Sequence, residues 1–264
     1  MPIFLTRPIK ALATLLAWLA ATAVVGSLMR QQTAGAAEIV QFLSSSPAWN
    51  VISGIGVLAL ATTLFGWRDL GFVGPAPRSL IRLIWFPILT LLPFYAIAFA
   101  VGLPPAGAIL ILALNTMLVA LSEEWMFRGV LFQALRTRFR IWPAVALTSI
   151  LFGAIHVVNA FALGDLRLAA AQAVAAMMTG LLLIALMLRT GSIWTAVVYH
   201  MVWNFGILLV AYETTKYAIP EQPLPLSSYF VPMLVVLPNF LFALLLLRSV
   251  KDDAAPYSQP DLTR

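Results

Sequence analysis

The sequence predicts an all-α polytopic membrane protein, a bundle of about eight transmembrane helices around a polar centre. Three observations predict it. Of 264 residues, 62% are hydrophobic and only 10% are charged, where a soluble domain carries roughly a quarter. The apolar residues gather in eight runs near the length of about 20 residues that a bilayer crossing takes. The basic residues fall in the gaps between runs, mostly on alternate sides, as the positive-inside rule requires. The net charge of +6 is therefore an orientation signal, and the implied partner is the lipid bilayer, not nucleic acid.

The runs follow in order. The first, Ala11–Met29, comes after Arg7 and Lys10 and contains Ala21-Thr22-Ala23, which resembles a signal-peptide cleavage site. The apolar stretch continues to Met29, long enough to span, so it is read as a retained helix. The second and third are Val51–Trp67 and Leu83–Val101. The fourth, Ala106–Leu135, is interrupted by Glu123, Glu124 and Arg128. Then come Ile141–Leu163, Leu168–Leu188, Ser192–Ala211 and Ser227–Leu247. Trp49, Trp67, Trp142 and Trp194 mark several ends, where indoles sit at headgroup level. This divides the chain into three N-terminal spans (1–103), a helical core (104–211), an outer loop with the last span (212–248) and a polar tail (249–264), expected to be disordered.

Orientation follows from the cations. With the N-terminus inside, twelve of the sixteen Lys and Arg fall on inner positions, including Arg68, Arg136, Arg138, Arg140 and Arg189, as well as Lys251 and Arg264 in the tail. Three (Arg30, Arg167 and Lys216) fall outside, and Arg128 lies within a helix. Both termini are thus expected in the cytoplasm. The compact Ala- and Leu-rich chain points to a bacterial inner membrane. There is no cysteine, which removes disulfides, thiolate metal sites and cysteine nucleophiles.

An ionisable group near the bilayer centre costs at least about 2.5 kcal/mol, so it needs a reason. Here such groups cluster. Glu123, Glu124 and Arg128 lie on the fourth run, His156 on the fifth, and His200 with Asn204 on the seventh; the chain has only these two histidines. Counted from the cytoplasmic arginines, Glu123 lies about 20 Å deep, His156 about 24 Å, Asn204 about 22 Å and His200 about 16 Å. Helix tilt can bring them to a common level. Glu124 and Arg128, four apart and acid first, are read as a structural ion pair. Glu123, rotated about 100° from Glu124, is expected to point elsewhere and stay free to act. Phe152 and His156 share a face, as do His200 and Asn204. Asn115, Asn159, Gln172 and Asn239 are assigned to structural hydrogen bonds between helices.

These residues also carry a resemblance. Glu123-Glu124-Trp125-Met126-Phe127-Arg128-Gly129 resembles the first motif, E-E-x-x-x-R, of the CAAX protease and bacteriocin-processing (CPBP, or Abi) family. Phe152 to His156 resembles its F-x-x-x-H motif. His200 to Asn204 resembles its H-x-x-x-N/D motif, preceded by Gly191-Ser192-Ile193-Trp194. Eukaryotic members remove the last three residues of prenylated CAAX proteins. The resemblance spans residues 123–204 and implies an intramembrane endopeptidase acting on a membrane-associated peptide or protein.

The residues at hand suit attack by an activated water, since no G-x-S-x-G elbow and no intramembrane Asp pair is present. Glu123 is then the expected general base and His156 orients it or the water. His200 and Asn204 stabilise the oxyanion, while Glu124, Arg128 and Phe152 support the site. No cofactor is required in this version. A second version has Glu123, His156 and His200 bind Zn2+ with water as fourth ligand, and the family is often described as metalloprotease. Two other classes stay open: a proton-coupled transporter, which also buries Glu and His, and a non-catalytic scaffold or immunity protein.

Overall fold

A computed structural model describes residues 6–29, 36–75, 77–215 and 225–250. Arg30, Lys216, Lys251, Arg264 and nearly all of the polar tail lie outside the described residues. Among the described residues eleven α-helices follow one another: α1 (Arg7–Met29), α2 (Ala36–Ser45), α3 (Trp49–Phe65), α4 (Pro77–Val101), α5 (Ala106–Glu124), α6 (Phe132–Arg136), α7 (Ile141–Ile155), α8 (Ala160–Leu163), α9 (Leu166–Thr190), α10 (Ile193–Thr214) and α11 (Val231–Leu247). A π-helical segment, Trp125–Leu131, joins α5 to α6. A 3-10 turn, His156–Asn159, joins α7 to α8. The protein is an integral membrane protein. Among the described residues seven helices are long and apolar enough to cross a bilayer, and the bent pair α2–α3 makes up to eight.

That pair differs from the expectation of a loop before the second span. α2 and α3 meet at 66° across Ser46-Pro47-Ala48. Ten residues are too few to cross alone, so α2 instead packs on α5 and α10. Bare backbone at a helix break is costly inside a membrane, and Asn115 answers it. Its side chain accepts from Ala48 N at 2.8 Å and donates to Leu43 O and Ser46 O, each at 2.8 Å. The other polar residues assigned to interhelical bonds also find partners. Asn159 donates to Gln172 at 3.0 Å, and Asn239 donates to Tyr199 at 2.8 Å and Thr90 at 2.9 Å.

α1 is a packed part of the bundle. The indole N–H of Trp18 donates to Ser122 Oγ at 2.9 Å in a buried contact, one residue before the glutamate pair. At its other end Arg7 forms a two-pronged ion pair with Asp69, at 2.6 and 2.7 Å. The segment after α3 is in turn clamped to the start of α10. Ile193 N donates to Gly71 O at 2.9 Å, and Ser192 Oγ donates to Val73 O. Gly71 has φ +82, a conformation that favours glycine.

The core centres on α9, which packs against both α7 and α11, and extends to α1, the π segment and α10. Close approach of α7 and α9 depends on Gly153, as small residues allow in membranes. A Cβ added there would stand 2.5 Å from Ala173 O and 2.7 Å from Met177 Cβ. Gly153→Ala is therefore expected to lower stability by about 1–3 kcal/mol. Gly56→Ala, with nothing within 4 Å, should be neutral. Thermal unfolding of the two variants in detergent checks this, and equal behaviour would refute a tight crossing.

The exposed turn between α6 and α7 contains Thr137. Since the cation bias assigns that turn to the cytoplasm, a cysteine at Thr137 should escape an impermeant thiol reagent in intact cells. Labelling without permeabilisation would overturn the orientation.

Candidate active site

The first motif sits where α5 widens into the π segment. A π turn closes i→i+5 bonds and recurs at functional sites. Met126 to Leu131 are all buried, so this wide turn lies inside the bundle. Glu124 and Arg128 are both 0% exposed and pair at 3.0 Å. The guanidinium has two further supports: it donates to Gly180 O at 3.0 Å, and it stacks 4.3 Å from the centroid of Phe152. Such contacts with an aromatic face strengthen when water is excluded.

Glu124 does more than pair with Arg128. Its Oε1 also accepts from His200 Nδ1 at 2.9 Å, buried. The glutamate thus ties α5 to α10 as well as to its own helix. Glu123 reaches the other side of the same imidazole, with Oε2 3.8 Å from His200 Nε2. That is wider than a hydrogen bond, and Glu123 Oε2 is buried with no hydrogen-bond partner among the described residues. The two acids, expected to point apart, converge on one ring. A carboxylate stands off its backbone by enough bonds for adjacent positions to reach both nitrogens of one His.

The tautomers follow from the partners. A backbone carbonyl can only accept, so His156 Nδ1, 2.8 Å from Phe152 O, carries a proton. Glu124, already paired with Arg128, also acts as an acceptor for His200 Nδ1. Each histidine is anchored through Nδ1, which leaves Nε2 for chemistry.

His156 and Asn204 stand further out. His156 is half-buried in the 3-10 turn, and its ring meets Phe152 at 5.1 Å between centroids. Phe152 also meets His200 at 6.0 Å, so it forms a wall common to both imidazoles. No direct bond joins His156 to Glu123 or His200 among the described residues. Asn204, half-buried one turn beyond His200, makes no hydrogen bond among the described residues.

Glu123, His156 and His200 are the candidate zinc ligands. Among the described residues no group of three His, Asp or Glu side chains is placed to hold an ion.

Sequence reasoning missed three supports. Gly180, where a Cβ would meet Phe152 at 3.1 Å and Arg128 Nη2 at 3.4 Å, leaves room for the guanidinium. Its signal was a glycine in a small-residue stretch of α9. Trp18 with Ser122 is a second. The bond from Glu124 to His200 is the third, and no spacing rule announces a contact across 76 residues.

Residues 105–206 match the family model described as Type II CAAX prenyl endopeptidase Rce1-like. This stretch runs from the start of α5 into α10 and contains Glu123, Glu124, Arg128, Phe152, His156, His200 and Asn204. No curated protein and no solved structure matches the chain.

Proposed function

Residues 105–206 belong to the Rce1-like family of type II CAAX prenyl endopeptidases, and from that premise we propose that this CAAX-type intramembrane protease cuts a membrane-associated peptide or protein with water activated by Glu123. The observation that carries the reading is the pairing of one uncommitted acid with one anchored histidine. Glu123 Oε2 has no hydrogen-bond partner among the described residues and stands 3.8 Å from His200 Nε2.

The step runs as follows. Glu123 takes a proton from water as the water oxygen bonds to the peptide carbonyl carbon. The carbonyl oxygen becomes an oxyanion. Because Nδ1–H of His200 is held by Glu124, its Nε2 can donate to that oxyanion only in the imidazolium form. Asn204 supplies a second donor one turn away. His156, anchored through Nδ1 on Phe152 O, turns Nε2 toward the water to orient it. Glu123 then returns its proton to the leaving amine as the C–N bond breaks. Arg128 and Phe152 hold Glu124, and Glu124 holds His200.

We place this chemistry in the segment 104–211, with both termini cytoplasmic in a bacterial inner membrane. A metal-free reaction is our reading, and zinc is the alternative. Metal content of the purified protein, with activity before and after chelation, distinguishes them: about one tightly bound zinc per chain, lost in His156→Ala, supports metal-assisted hydrolysis. The substrate is sought by comparative membrane proteomics of a deletion strain and one carrying Glu123→Ala. The same uncut proteins should accumulate in both. Full complementation by Glu123→Ala would favour a transporter or scaffold.

A further inference from the structure

A cavity lies beside the Glu–His cluster, between the end of α3, the segment after it and the start of α10. Its volume is about 370 Å3, and its lining includes Trp67, Arg68, Phe72, Leu121, Trp125 and Trp194. This is the small end of ligand pockets, about 300–1,000 Å3, and suits a length of one hydrocarbon chain. We propose that it binds an anionic phospholipid, with one acyl chain in the groove and the headgroup phosphate on Arg68.

The wall is aromatic. Phe72 meets Trp125 edge-on at 5.1 Å and Trp194 at 5.6 Å. The uncommitted polar groups are all donors. Arg68 is exposed and has no partner among the described residues, because the neighbouring acid, Asp69, is taken by Arg7. The indole N–H groups of Trp67 and Trp194 likewise have no hydrogen bond among the described residues, whereas that of Trp125 goes to Thr62 Oγ1 at 3.2 Å. No acid lines the groove. One cation and two indole donors above an apolar slot match a phosphate and its ester oxygens above an acyl chain. Charge and donor pattern therefore select an acceptor-rich anionic amphiphile over a zwitterionic one.

Position agrees. Trp67 and Arg68 follow the C-terminal end of α3, and Trp194 is the second residue of α10. Both helix ends lie on the face that also carries Arg7 and Asp69, at the level where indoles and arginines meet headgroups. Trp125 links the groove to the glutamate pair, since it directly follows Glu124. Lipid binding is independent of the peptidase reading and is measured without any turnover.

The test uses full-length protein in detergent with equal amounts of phosphatidylglycerol and phosphatidylcholine of identical chains, read by native mass spectrometry. Wild type should retain one phosphatidylglycerol in preference to phosphatidylcholine. Arg68→Gln should lower that preference about five-fold, the worth of one cation beside an anionic lipid surface. Arg68→Lys should keep most of it. Arg68 is exposed, so the variants should fold. Equal retention of the two lipids by wild type, or an unchanged preference in Arg68→Gln, overturns the proposal. Displacement of the bound phosphatidylglycerol by millimolar inorganic phosphate also overturns it, as a bare anion site. Displacement by a prenylated peptide overturns it too, by assigning the groove to a substrate's lipid anchor.

Discussion

Purified Glu123→Gln protein is expected to lose peptide cleavage by at least about 10²–10⁴-fold, the range that a general base supplies, while folding as wild type does. Glutamine keeps the size of the side chain and removes only the base. Glu123 makes no hydrogen bond among the described residues, unlike Glu124, which holds both Arg128 and His200, so its loss breaks no bond of the fold. His200→Gln should lose activity similarly, and the double variant should lose little more, because groups acting as a unit are non-additive. Asn204→Ala, removing one oxyanion donor, should cost about 10²–10³-fold. Cleavage assays on protein checked for monodispersity decide the matter. Wild-type activity in Glu123→Gln would falsify the water mechanism in both its metal-free and its zinc form.

The second large effect belongs to the ion pair behind the imidazole. Arg128→Ala should destabilise the protein by about 3–5 kcal/mol, since it leaves Glu124 charged and buried. Glu124→Ala should cost a comparable amount. Its effect is softened because Arg128 keeps Gly180 O and the Phe152 ring, and worsened because His200 Nδ1 loses its acceptor. In the double variant stability should partly recover. Activity should not, since nothing then holds His200. Thermal unfolding in detergent reads the first outcome and a cleavage assay the second. Additive stability losses would count against direct coupling.

These two predictions divide along the line between sequence and fold. The long apolar spans and the pairing of Glu124 with Arg128 could be read from the chain alone. Each rests on a local rule: hydrocarbon thickness sets run length, and positions four apart share a helix face. Asn115, Asn159, Gln172 and Asn239 were likewise legible as interhelical polar residues, because lipid offers them no other partner. The exceptions are where a run is not one regular helix. The elbow of α2 and α3, the π segment at Trp125–Leu131 and the 3-10 turn at His156 leave no mark in hydropathy, which is nearly uniform along each run.

The sequence by itself determined that Glu123, Glu124, Arg128, His156, His200 and Asn204 lie within the apolar spans, because no apolar run can exclude a residue it contains. Which of them touch was decided only by the tertiary structure. Both acids converge on His200, His156 is reached through Phe152, and Gly180 makes room for the guanidinium. The physical reason is that contact across helices depends on crossing distance and rotation. These are set by the packing of small residues such as Gly153 and by an irregular turn in the backbone, neither of which periodicity encodes.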